Sequence, residues 1–155
     1  MLRMSRGALL SVLAFTATLL SPAAGAAPRR YLEHPVPPGN TSLPFSDAVL
    51  LGNTLYVAGH LGIDAQTGNA PADPATEARL VMEAVKRTVE SAGLTMDDFV
   101  SVTVYCTDLQ LYATFNAIYG TYFHGHHPAR AFIGADKLLR GAHFEIQGVA
   151  VKGTP

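Results

Sequence analysis

The sequence predicts an α+β domain in which two helices cover one face of a single mixed β-sheet, in the order β-β-α-β-α-β-β. Five short runs rich in apolar residues have the length of strands, the run at 99–107 alternates in the way of a half-buried strand, and two longer runs repeat apolar residues at helical spacing. Turn residues separate these runs. A chain of 155 residues is also a suitable size for one domain around one core.

The first 26 residues have the pattern of a secretory signal peptide, so they are left out of the fold prediction. Arg3 and Arg6 form a basic head without acidic residues, residues 8–20 are mostly apolar, and small residues follow up to Ala26. The alternative is an uncleaved membrane anchor, but a spanning helix needs roughly 20 apolar residues. We therefore expect cleavage after Ala26 and an exported protein, either periplasmic or secreted.

Removal of the signal changes what the composition implies. The remaining chain consists of an extended, irregular, proline-rich segment at residues 27–43 and a folded domain at residues 44–155. Nine Lys and Arg residues then face 12 Asp and Glu, which argues against a nucleic-acid partner, and no membrane contact is expected. Cys106 is the only cysteine, so no internal disulfide forms, and its alternating surroundings favour a buried, inert thiol over a nucleophile.

The folded domain is predicted to begin with a hairpin. Strands are expected near residues 47–51 and 55–58, because Gly52-Asn53 between them is a hairpin turn signal. Residues 59–71 are rich in Gly, Asn, Asp and Pro, and this composition predicts a loop.

The first helix is predicted to start at Pro74, with Asp73 as its N-cap, and to stop at Gly93. An apolar stripe at helical spacing should face the core. Its members are Val81, Ala84, Val85, Thr88 and Val89.

The second half of the domain is predicted to hold three more strands and a second helix. The strands are expected at residues 99–107, 129–133 and 143–151, and the helix at residues 111–123. Asp108 should cap this helix and Gly125 should end it. The strand at residues 99–107 should turn four side chains toward the core: Val100, Val102, Val104 and Cys106.

The predicted helices can cover only one face of the sheet. The side chains expected on the other face mix apolar and polar groups: Thr103, Tyr105, Glu145, Gln147 and Val149. A large, half-polar face without cover predicts association with other subunits.

Two charged residues stand where strands could present them to a ligand. Arg130 follows Pro128-Ala129 and opens a strand, and its guanidinium could bind a carboxylate, although a surface salt bridge is the alternative. Glu145 lies between apolar residues of the last strand, where a carboxylate is either poised for chemistry or simply exposed or ion-paired.

Other candidates for chemistry are weaker. His124, His126 and His127 could bind a metal, but no second ligand cluster accompanies them, which favours a solvated helix end. His60 and His143 are isolated and are interpreted as structural residues. Neither a nucleophile elbow nor a phosphate-binding glycine loop is present.

Six ordered blocks resemble the RidA family (YjgF/UK114-like), and the match runs from residue 44 to residue 151, which is nearly the whole chain after the signal. The blocks are Pro-Phe-Ser-Asp-Ala-Val at 44–49, Gly-Asn-Thr-Leu-Tyr-Val-Ala-Gly at 52–59, Val-Thr-Val-Tyr-Cys-Thr-Asp at 102–108, Phe-Asn-Ala-Ile-Tyr at 115–119, His-Pro-Ala-Arg at 127–130, and residues 138–146 ending in Glu-Ile.

The resemblance implies a chorismate-mutase-like fold and a homotrimer with clefts between subunits. It also implies hydrolysis of 2-enamine or 2-imine acids to 2-keto acids and ammonia, without a cofactor or metal. Arg130 would hold the substrate carboxylate, and Glu145 would activate water and shuttle a proton. Asn116, Phe45 and Phe132 match pocket positions.

Several pocket positions depart from the family pattern. Ala131-Phe132 stands where Ser-Cys is common, Ala58 replaces a serine, and Phe45 lacks a tyrosine hydroxyl. Phe132 should shrink the pocket or make it more apolar. Two functions therefore remain open, an imine deaminase and a non-catalytic binder of small carboxylates. A ribonuclease or translation inhibitor is disfavoured because the chain is acidic.

Overall fold

The computed structural model describes residues 27–34 and 43–153. It contains one six-stranded sheet and two α-helices: β1 (Arg29–Leu32), β2 (Ala48–Leu51), β3 (Thr54–Leu61), α1 (Pro74–Ser91), β4 (Phe99–Cys106), α2 (Tyr112–Tyr119), β5 (Ala129–Gly134) and β6 (Phe144–Val151). The strand order is β1-β2-β3-β6-β4-β5. β4 and β5 are parallel and every other pairing is antiparallel. The predicted α+β class is confirmed, whereas the predicted signal peptide and the prolines at 35, 37 and 38 lie outside the described residues.

The sheet is longer at its N-terminal edge than the sequence predicts, because β1 adds a sixth strand. Residues Arg29–Leu32 were expected to be irregular, but they pair antiparallel with β2 along their whole length. The physical reason is that no proline lies within residues 29–32, between Pro28 and Pro35, so β1 keeps all of its backbone donors.

β3 also extends beyond its predicted end, since residues 59–61 continue the strand rather than start a loop. A β-bulge between Val57 and His60 shifts the register against β6. Gly59 lies inside this bulge, where a glycine is a common feature of a strand that continues. Gly59 therefore marks a bulge within β3, and the prediction that a loop starts at this residue is wrong.

The first helix forms as predicted. Asp73 accepts hydrogen bonds from the backbone N–H and the hydroxyl of Thr76, and Pro74 occupies the first turn. Gly93 follows the helix with φ +81°, a conformation that favours glycine. The buried face also includes Glu77 and Met82, which the predicted apolar stripe omits.

The second helix is shorter than predicted. Asp108 caps a 3₁₀ turn at Leu109–Leu111 by accepting from the Gln110 N–H, and α2 then runs only from Tyr112 to Tyr119. Another 3₁₀ turn, Gly120–Tyr122, replaces the predicted last turn. The helix thus ends at Gly120 rather than at Gly125.

The core lies between the two helices and one face of the sheet. Cys106 is fully buried in it, as the alternation predicted, and burial raises the pKa of its thiol. Val100 is an exception, because a bulge between Phe99 and Ser101 turns it outward, and it is 50% exposed. Phe99 takes the inward position instead.

The opposite sheet face has no cover among the described residues. One cross-strand row on this open face runs over all six strands: Tyr31, Val49, Tyr56, Val149, Ser101 and Ala129. Tyr56 and Tyr31 are 50% and 58% exposed. Among the described residues, no helix is long and apolar enough to span a membrane.

Candidate functional site

Arg130 projects from β5 toward α2, on the helix-covered side of the sheet. Its Nη2 donates a hydrogen bond of 2.7 Å to Oδ1 of Asn116. β5 is the edge strand of the sheet, and its second residue places the guanidinium beside the middle of α2. The sequence predicted both residues as ligand contacts, and the structure brings them together.

Three aromatic rings surround the guanidinium. The distances from the Arg130 Cζ to the ring centroids are 4.5 Å for Tyr119, 5.6 Å for Phe132 and 5.7 Å for Tyr112. Such cation–π contacts and the bond to Asn116 restrict the guanidinium to one orientation. The donors that remain unused are then available for a planar anion.

A cavity of about 390 Å³ opens beside Arg130. Its lining residues are Asn116, Tyr119, Gly120, His127, Pro128 and Arg130. The volume lies at the lower end of the range for small-molecule sites. The arrangement suits a small ligand with a carboxylate.

The two tyrosines beside Arg130 differ in their electrostatic surroundings. Burial raises the pKa of Tyr119 to about 12, although the charge of Arg130 opposes this shift. Tyr112 is 48% exposed, and a hydrogen bond with Asn116 followed by the charge of Arg130 lowers its pKa. Tyr119 therefore keeps its proton throughout the neutral range.

Glu145 lies on the open face. Phe144 and Ile146 on either side of it are buried in the core, so the alternation of β6 directs Glu145 away from the helices. The Glu145 carboxylate also lies directly over Gly59. A Cβ at this glycine would collide with the Glu145 Oε1, so only glycine leaves room for the carboxylate there. The sequence predicted a catalytic pair, but within one chain Glu145 and Arg130 lie on opposite faces of the sheet.

The predicted pocket residues Phe45 and Phe132 do not line the cavity in the described residues. Phe45 is 54% exposed on the segment ahead of β2. Phe132 packs into the aromatic cluster, with its ring centroid 5.0 Å from Tyr112 and 5.6 Å from Phe115. Phe132 therefore packs beside the Arg130 guanidinium and does not fill the cavity.

The histidines divide into different roles. His124 contacts the carboxylate of Asp97 through its backbone N–H and its ring, at the surface. His127 instead lines the cavity, which the sequence interpretation of a solvated helix end missed. In the part of the chain that the structure describes, no three His, Cys, Asp or Glu side chains are grouped as metal ligands would be.

Sequence reasoning also missed Tyr112 and Tyr119. Both lie on the face of α2 that carries Asn116, at spacings of four and three residues from it. That helical spacing was the available signal, because residues on one helical face approach the same ligand.

A buried carboxylate lies outside this site. Glu77 of α1 is fully buried, and its Oε1 accepts from the backbone N–H groups of His143 and Phe144. Its Oε2 lies 2.6 Å from Nδ1 of His143. Glu77 therefore fixes the start of β6 from the helix side, and His143 has the structural role that the sequence suggested.

Comparison with known proteins agrees with this fold. Residues 38–152 match the Endoribonuclease L-PSP family. The chain is 38% identical over 112 residues to the 2-iminobutanoate/2-iminopropanoate deaminase of Escherichia coli K12, a match that covers 70% of this chain and 88% of the relative.

Solved structures with the same fold support membership of this family. The structure of Escherichia coli TdcF with bound serine matches with a TM-score of 0.71 and 30% identity, over 80% of this chain and 100% of that one. The structure of RidA from Psychrobacter matches with a TM-score of 0.67 and 31% identity, over 77% and 94% of the two chains. The protein therefore belongs to the Endoribonuclease L-PSP family, which includes RidA and YjgF.

Proposed function

We propose that this protein hydrolyses 2-imino and 2-enamine acids to 2-keto acids and ammonia. The observation that carries the proposal is Arg130, a guanidinium held by Asn116 and three aromatic rings beside a cavity of suitable size. The similarity to an Escherichia coli protein named as a 2-iminobutanoate/2-iminopropanoate deaminase supports the reaction class.

Arg130 would bind the substrate carboxylate through two parallel N–H donors and so fix the position of the adjacent imine carbon. An enamine first moves a proton from its nitrogen to C3 and becomes the imine. Water then adds to the C=N bond, and Glu145 accepts a proton from that water and delivers it to the nitrogen. The proton of the new hydroxyl group passes to the nitrogen in the same way. The C=O bond then forms as the C–N bond breaks, and the nitrogen departs as ammonia.

This mechanism requires more than one copy of the chain. Arg130 and Glu145 lie on opposite sheet faces within a single chain, so one copy does not place both beside the same substrate. We infer that the cleft forms between subunits of a homotrimer, as the resemblance to RidA implies. The open face, with exposed Tyr31 and Tyr56, offers apolar surface for such an assembly. Sedimentation velocity on the mature chain measures the oligomeric state, and a monomer would contradict the inference.

A second function deserves a test because the two halves of the site differ. The Arg130 side is complete in one chain, whereas Glu145 contributes nothing to it there. A protein that binds small carboxylates without turnover would need only the Arg130 side. In that case 2-keto acids would bind in a calorimeter, but imine hydrolysis would not accelerate.

The deciding experiment couples an amino-acid oxidase, which produces imino acids, to the purified mature protein. We expect faster loss of the imine and faster release of ammonia than in buffer. The matched variant is Arg130→Ala, with the exposed Arg87→Ala of α1 as a control for loss of one positive charge. No acceleration by the wild-type protein at high concentration would exclude the deaminase reaction.

We also propose that the protein is exported after cleavage behind Ala26. The basic head, the apolar run and the small residues before Ala27 support this location. Expression of the full chain in a bacterium, followed by fractionation and intact-mass measurement, tests it. A full-length mass in the cytoplasmic fraction alone would contradict the proposal.

A further inference from the structure

The hydroxyl of Tyr119 is buried without a hydrogen-bond partner. Over residues 27–34 and 43–153 it is the only buried side-chain N or O atom in this condition. Tyr119 is 4% exposed, so water does not readily satisfy the hydroxyl either. Buried polar groups in native proteins are nearly always hydrogen-bonded, because an unpaired one is costly. This hydroxyl therefore needs a partner that the described residues of one chain do not supply.

The neighbours of Tyr119 explain why the partner is missing. The Phe115 and Phe123 rings pack against it with centroids 5.7 Å and 4.8 Å away, and they have no hydrogen-bonding atoms. The Arg130 guanidinium lies 4.5 Å from the ring centroid, but a guanidinium contains only donors. The His127 ring centroid lies 6.4 Å from that of Tyr119, but no hydrogen bond joins the two side chains. Among the described residues, the hydroxyl proton thus lacks an acceptor.

A ligand at Arg130 would provide that acceptor. Tyr119 and Arg130 line the same cavity, and any anion that pairs with the guanidinium brings lone pairs beside the tyrosine. We propose that the Tyr119 hydroxyl donates a hydrogen bond to the carboxylate of the 2-imino or 2-keto acid bound by Arg130, and so determines specificity for carboxylates. This inference rests on the proposed function only in requiring that the site bind a small carboxylate.

Two further points agree with a donor role. Burial keeps the pKa of Tyr119 at about 12, so the hydroxyl retains its proton at any physiological pH. Arg130 has its Nη2 bonded to Asn116, which leaves the guanidinium anchored when an anion arrives. Tyr119 and Arg130 would then donate hydrogen bonds to one carboxylate from different directions. The competing source of an acceptor is a side chain of a neighbouring subunit.

The experiment compares the mature wild-type protein with Tyr119→Phe by calorimetric titration with 2-oxobutanoate and by thermal unfolding. We expect the Kd to rise about tenfold, the typical effect of one hydrogen bond to a charged group. We expect the melting temperature to stay constant or to rise, since the variant removes a hydroxyl that has no partner in the free protein. A structural tyrosine would show the reverse pattern.

Tyr122→Phe is the matched control. The Tyr122 hydroxyl donates to Oε1 of Glu83 at 2.8 Å, away from the cavity. Its removal should lower the melting temperature slightly and leave the Kd for 2-oxobutanoate unchanged.

Each alternative outcome identifies a different failure. Equal Kd values for wild type and Tyr119→Phe would overturn the inference while leaving the proposed function intact. A smaller oligomer for Tyr119→Phe in sedimentation would assign the hydroxyl to a subunit interface and also overturn it. If the wild-type protein bound no 2-oxobutanoate, the proposed ligand class would fail, and the inference would fail with it.

Discussion

The two faces of the sheet carry Arg130 and Glu145, the two residues on which hydrolysis would depend, but one chain supports them unequally. On the helix-covered face, Arg130 has an amide partner, three aromatic neighbours and a cavity. On the open face, Glu145 lies over Gly59, and no helix among the described residues covers it. Under the proposed function, one chain would suffice for ligand recognition, whereas the chemical step would depend on assembly.

The largest effect is expected from Glu145→Gln, which keeps the shape of the side chain but removes the base. Turnover should fall about a thousandfold, within the range for loss of a general acid–base group. Binding of 2-oxobutanoate should change little, because Arg130 is unaffected. Steady-state kinetics and calorimetry on the same preparation measure both quantities.

A mixing experiment tests whether the Arg130 and the Glu145 of one site come from different chains. Arg130→Ala and Glu145→Gln chains are each expected to be inactive, but co-refolded in equal amounts they can form sites with both native residues. For a cyclic trimer with sites between neighbours, about a quarter of the wild-type activity should return. If Arg130 and Glu145 of one chain shared a site, no activity would return.

Arg130→Ala should weaken carboxylate binding about a hundredfold, because a charge-assisted pair with two hydrogen bonds is lost. Arg130→Lys should recover only part of this loss, since an ammonium cannot form the planar double contact. Titration with 2-oxobutanoate measures both effects. A normal Kd for Arg130→Ala would show that the ligand does not bind on the helix-covered face.

Glu77→Ala tests a contact that links the two faces. The variant leaves the backbone N–H groups of His143 and Phe144 without an acceptor at the start of the strand that carries Glu145. We expect a loss of about 3 kcal/mol in the free energy of unfolding, measured by urea denaturation. Glu77→Gln retains one acceptor oxygen and should cost less. Equal stability of all three proteins would show that these bonds do not hold β6.

The smallest effect is expected from Gly59→Ala. The new methyl group would displace the Glu145 carboxylate, so turnover should fall about tenfold while the Kd for 2-oxobutanoate remains the same. Gly134→Ala is the control, because its Cβ would meet only Leu109 at ordinary contact distance. Equal activities of the two variants would mean that the position of Glu145 does not limit the reaction.

These two regions also differ in how far the sequence predicts them. Alternation in β6 was sufficient to separate Glu145 from Phe144 and Ile146. Helical spacing in α2 could have grouped Asn116 with Tyr119, although the sequence prediction did not use it. Local patterns record such relations because they depend on residues a few positions apart. The fold class followed from the same kind of pattern.

Relations between distant residues were not predictable in this way. Glu77 bonds to residues 66 and 67 positions later, and nothing in its own helix indicates that a carboxylate belongs in the core. The strand β1 depends on pairing with β2, and the bulge at Gly59 depends on the register with β6. Such features come from tertiary contacts, which periodicity in one segment does not encode.

The burial of Cys106 has a practical consequence. It is the only thiol in the chain, it is fully buried, and its Sγ donates to the carbonyl oxygen of Asp108. Alkylating reagents therefore reach it only when the end of β4 opens, so the labelling rate reports the free energy of that opening without any added probe. The same shielding prevents two native molecules from becoming crosslinked through sulfur in an oxidising compartment.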